Sequence, residues 1–151
     1  MLCLISPPVL AQTQTLTADD ASVKKLAKEL FVCSSFFALV SMCFEDKNLT
    51  SGLNPQDKKH VADLSRAYKN QAVKTSNNAA QFAASTDMPL DELLSASSNS
   101  TKGWMAEIGG DCRKIAILSD KNFPACKWLV EQPALRLKKI SECSHEKKEG
   151  C

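Results

Sequence analysis

The chain has 151 residues, 19 basic against 17 acidic side chains for a formal net charge of +2, and only five glycines. That length suits one domain with a hydrophobic core of its own, which disulfides would assist rather than replace. The charge balance gives no case for a nucleic-acid partner, which calls for a basic stripe and a domain pI above about 9; the scarcity of glycine and the lack of period-two alternation give strands little to stand on.

The start, MLCLISPPVLAQTQ, is apolar and uncharged, and Val9-Leu10-Ala11 supplies the small-x-small pattern that signal peptidase reads. Residues 1–11 are therefore expected to be a signal peptide and residues 12–151 the helical domain. The usual positive n-region is missing, which leaves room for a start upstream of Met1. Cys3 falls in this leader, so the mature chain keeps Cys33, Cys43, Cys112, Cys126, Cys143 and Cys151. An even set in an exported chain reads as three disulfides, and spacing alone does not choose the pairing.

The first helix is expected to open at Thr17, a cap followed by Asp19 and Asp20 in the first turn. Val23, Leu26, Leu30, Cys33, Phe37 and Val40 then recur at helical steps, and the helix should reach about Phe44. Its segment from Leu30 to Phe44 carries no charge but spans only about 22 Å as a helix, short of a bilayer core of about 30 Å. Glu29, Glu45 and Asp46 flank it, so it reads as a core helix and not a membrane span. Cys33 and Cys43 are about 15 Å apart on one helix and cannot bond each other. Each must reach Cys112, Cys126, Cys143 or Cys151. Phe36 and Phe37 cannot face one way, so one of them contacts a second helix or lies partly exposed.

Asn54-Pro55 should cap and start the next helix, with Val61, Leu64, Tyr68, Ala72, Ala79 and Phe82 or Ala83 as its buried stripe and a bend or break near Ser76. Asp87 is the expected cap of a restarted helix, and SASSNSTKG reads as a loop. Trp104, Met105, Ile108, Cys112, Ile115 and Leu118 form one further stripe, weakened or closely packed at Gly109-Gly110. Pro124 and Pro133 each suit the first turn of a short helix, and the tail from Ser144, with His145, is polar. These elements make an all-α, single-domain bundle of four to six helices braced by disulfides.

The chemistry-bearing residues are few. His60 and Asp63 share a helix face, the block Asp87, Asp91, Glu92, Glu107 and Asp111 is acidic, and neither makes a zinc ligand set. No Gly-x-Ser-x-Gly and no phosphate loop occur, so no catalytic residue, metal or cofactor is expected. Trp104, Trp128 and Arg136 are of the types enriched at binding hot spots and are the candidate binding surface.

Cys33-Ser34-Ser35-Phe36-Phe37 with Cys43, then Phe123-Pro124-Ala125-Cys126-Lys127 and Gln132-Pro133-Ala134-Leu135-Arg136, resembles a loose group of small, uncharacterised exported bacterial proteins. In these a helical Cys-x-x-aromatic-aromatic segment precedes a Pro-x-Cys-Lys segment and an x-Pro-x-x-Arg helix. The resemblance implies bacterial export, a helical fold and a link from Cys126 to the first helix; it implies no activity. Cys112, Cys143 and Cys151 are additions to that pattern. The expectation is a periplasmic or secreted, non-enzymatic binding protein whose partner is another exported protein. The alternative is a small periplasmic hydrolase acting through the acidic block or His60.

Overall fold

A computed structural model describes residues 18–146, with side chains to Ser144; the leader, Thr17, the His145 side chain and Cys151 lie outside the described residues. Six α-helices follow one another: α1 Asp20–Phe44, α2 Lys47–Thr50, α3 Pro55–Ala84, α4 Leu90–Glu107, α5 Ile115–Glu131 and α6 Pro133–Glu146, with a 3-10 turn at Cys112–Lys114 between α4 and α5. The fold is the expected all-α bundle, and no strand occurs among the described residues.

The centre of the bundle is α1. Its N-cap is Asp19, whose carboxylate accepts from the Ser22 amide at 2.7 Å. Leu26, Leu30, Phe36, Phe37 and Val40 are all at most 1% exposed, because α3, α4, α5 and α6 all pack against this helix. Phe36 meets Trp104 of α4 edge to face at 5.6 Å, while Phe37 turns to Tyr68 of α3 and Phe123 of α5. By length and composition α1 is apolar enough to cross a membrane, with a mean hydropathy of 1.6 over its best window; 61% of that window is buried inside the bundle.

The serines of the apolar stretch are all engaged. Ser34 donates to the Ala72 carbonyl at 2.9 Å, and Ser41 donates to the Ser65 carbonyl at 2.9 Å. Ser35 meets Ser97 of α4. The two ties to α3 fall seven residues apart on each helix and run in opposite directions, so they set α1 and α3 antiparallel in one register. A shift of a turn would leave buried polar groups unmet, at a cost of about 1–3 kcal/mol each.

Asn54 caps α3 as expected, accepting from the Asp57 amide at 2.9 Å, with Pro55 in the first turn. The anticipated break near Ser76 is absent. Ala72, Thr75, Ala79 and Ala83 face α1 and α4, and the Thr75 hydroxyl returns to the Gln71 carbonyl at 2.8 Å, so packing on small side chains carries the helix through the soft TSNNA segment.

Four other expectations are corrected. Asp87 does not cap α4: it has φ +50°, and Pro89 stands at the N-cap without a side-chain bond. SASSNSTKG is helix, not loop, since Leu93 on one side and Trp104, Met105 and Ile108 on the other anchor it in the core, which outweighs the weak helix propensity of its Ser, Asn, Thr and Gly residues. The stripe from Trp104 to Leu118 is not one helix. Gly109 and Gly110 have φ +61° and +71°, and their amides return to Ala106 and Met105, which closes α4 with a Schellman turn. Finally, Pro124 lies inside α5 rather than at its start, where it removes one backbone donor; Asn122 Nδ2 meanwhile donates to the Leu118 carbonyl at 2.9 Å.

Two disulfides fasten α1 at two heights. Cys33 bonds Cys126 of α5 with Cα atoms 5.4 Å apart, and Cys43 bonds Cys112 with Cα atoms 5.0 Å apart. The first is the link implied for Cys126. The second bridge is nested within the first along the chain, and Cys143 of α6 is disulfide-bonded as well. Such crosslinks suggest an oxidising, extracellular environment.

Candidate functional site

The three residues expected to form a binding surface meet at one place. Trp104 from α4, Trp128 from α5 and Arg136 from α6 line a groove of about 520 Å³ whose floor includes the Cys33–Cys126 bridge and Leu129. They are brought together from three helices because the bridge pins α5 to α1, Pro133 turns the chain into α6 directly after α5, and Trp104 leans on Phe36.

Their roles differ. Arg136 makes a two-pronged ion pair with Glu29 of α1, Nε to Oε2 at 2.8 Å and Nη2 to Oε1 at 2.7 Å, with both side chains about three-quarters buried. Donating both hydrogen bonds to the Glu29 carboxylate raises the affinity of the guanidinium for its proton. Arg136 therefore ties α6 to α1, and little of its fork remains for a partner. Trp104 is half-buried, with one edge in the core. Trp128 is the open member, 36% exposed, and the Lys139 ammonium sits 4.8 Å from its ring centre.

The residues of the hydrolytic alternative are dispersed. His60 is exposed, and the Asp63 carboxylate accepts from Arg66 at 3.1 Å. Glu92 pairs with Lys28, Glu107 with Lys121 at 3.1 Å and Asp111 with Arg113 at 2.8 Å. The hydrogen bond from Lys28 lowers the Glu92 carboxyl and those from Arg113 lower Asp111, the opposite of what a general acid needs. Asp87 and Asp91 are exposed, and among the described residues no group of three or more His, Cys, Asp or Glu could hold a metal ion.

Sequence reading missed a second concavity. Between α1, α3 and α5 lies a pocket of about 580 Å³ floored by Phe37, Tyr68 and Phe123. Tyr68 looked like an ordinary member of a core stripe and Phe123 entered only through the Phe123-Pro124-Ala125-Cys126-Lys127 segment, and only the three-dimensional arrangement shows them forming a cluster. Burial raises the Tyr68 phenol above its ordinary value. Because Tyr68 is the only tyrosine in the chain, absorbance at the phenolate band should give one titration step with a midpoint above about 10, moving back to about 10 in denaturant. The sign follows from the raised folded value: the neutral phenol's contribution to stability is intact below the unfolded midpoint and is lost as pH rises through the folded one. A midpoint at or below about 10 in the folded protein would contradict the partly buried ring.

The chain matches no protein-family model, no curated protein and no solved structure at a significant level.

Proposed function

We propose that the protein is an exported, non-enzymatic binding protein that captures another exported protein through the groove at Trp128. The observation that carries this reading is the convergence of Trp104, Trp128 and Arg136 on one groove, with Trp128 held open at its mouth. The groove is apolar inside and basic on the α6 side, where Lys139 stacks on Trp128 and Arg136 already neutralises Glu29. It suits a partner that offers an apolar side chain beside an acidic one. The apolar start ending in Val9-Leu10-Ala11, together with the disulfides, supports export to the bacterial periplasm or beyond.

The test is capture from the exported proteins of the host, followed by titration of the purified partner. Trp128→Ala should weaken binding about 30-fold, the loss expected when a central tryptophan anchor is truncated, with the far-UV circular dichroism unchanged. Arg136→Ala is the poorer probe, since it also frees α6. Equal affinity for Trp128→Ala and the parent would remove this groove from the reading. A lack of any saturable complex between purified proteins would remove the function.

A further inference from the structure

The pocket between α1, α3 and α5 has a build that the groove at Trp128 lacks. The Phe37, Tyr68 and Phe123 rings form a closed triangle, with centroids 6.2 Å, 6.4 Å and 6.1 Å apart, and Phe123 stands edge to face to both of the others. Phe37 is 1% exposed and fixes the floor. The rim is charged: Lys74 comes from α3, and Lys127 and Glu131 come from α5.

These charges are not used by the fold. Lys28, Lys121 and Lys138 each stand within 4.0 Å of a carboxylate, whereas among the described residues Lys74, Lys127 and Glu131 make no ion pair and the Tyr68 hydroxyl no hydrogen bond. Two ammonium groups against one carboxylate leave a single net positive charge over an aromatic floor. The volume lies in the ordinary range for small-ligand sites, about 300–1,000 Å³.

We propose that this pocket binds a small organic monoanion with a planar aromatic body. Its rings pack against the accessible parts of Tyr68 and Phe123, with Phe37 buried beneath them, and its carboxylate lies between Lys74 and Lys127. The Tyr68 hydroxyl is available to donate to the same carboxylate. Glu131 sets the limit: it repels a second negative charge and so selects a monoanion over a dianion.

Tyr68 provides the readout, because a protein labelled at its tyrosine ring carbons carries one reporter and that reporter lies in the pocket. The intact, oxidised chain is titrated with naphthalene-2-carboxylate and, separately, with the neutral naphthalene-2-carboxamide. The acid should shift the Tyr68 resonance saturably and bind about fivefold more tightly than the amide, as expected for two solvent-facing ion pairs. Lys74→Gln with Lys127→Gln should abolish that preference; both side chains are exposed, so the double variant keeps its fold and its unliganded Tyr68 signal. Glu131→Gln should enlarge the preference. Trp128→Ala should leave it unchanged, which separates this pocket from the partner groove. The assignment is overturned by an acid that does not shift Tyr68, by equal affinity for acid and amide, by a preference that survives loss of both lysines, or by one that disappears with Trp128.

Discussion

Replacing Cys33 and Cys126 together by alanine is expected to lower the unfolding free energy by about 3.5 kcal/mol, read from denaturant unfolding curves with m fitted separately for each variant. The two cysteines are 93 residues apart, and a loop of that length would ordinarily be worth nearer to about 4.7 kcal/mol. The inner bridge shortens the count. With Cys43–Cys112 intact, the unfolded chain already has a short route from Cys33 to Cys126 through residues 33–43 and 112–126, roughly 25 residues in all. Breaking both bridges should therefore cost more than the sum of the two single losses. A loss below about 1 kcal/mol for the outer pair would show that it does not constrain the unfolded chain.

Phe36→Ala should cost about 3–5 kcal/mol, the loss of a fully buried ring plus the cavity it leaves. The ring is 0% exposed and touches Phe37 within α1 and Trp104 across to α4. The near-UV circular dichroism of Trp104 should change with it. Phe36→Leu keeps most of the volume and should cost about 1.5 kcal/mol or less. Met42→Ala on the same helix, at a position 67% exposed, should stay within about 0.5 kcal/mol of the parent. A similar small effect at Phe36 would mean that α1 and α4 do not pack as described.

What could be read from the sequence was what local chemistry decides. The Asn54-Pro55 start of α3 follows from a cap and a preset φ, and the refusal of Cys33 and Cys43 to pair follows from helix rise. The errors came where packing overrides propensity. SASSNSTKG has the composition of a loop but is helical because Leu93 and Trp104 at its flanks are both claimed by α1 and its neighbours. Pro124 reads as a helix start and lies inside α5, where Phe123 and Cys126 fix both sides of it. Trp104, Trp128 and Arg136 were legible as types, and their meeting in one groove depends on the outer disulfide. That Arg136 is already occupied by Glu29, 107 residues away in the chain, has no local signature.

The nesting of the two bridges also decides what an extracellular protease can do to this molecule. A single cut anywhere between Cys33 and Cys126, including the exposed turn at Ser51 and Gly52 between α2 and α3, leaves both pieces joined through sulfur. The nicked chain can still hold α1 against α5 and keep both concavities in place. Freeing a fragment from the stretch between Cys33 and Cys126 takes reduction or a second cut in the same ring.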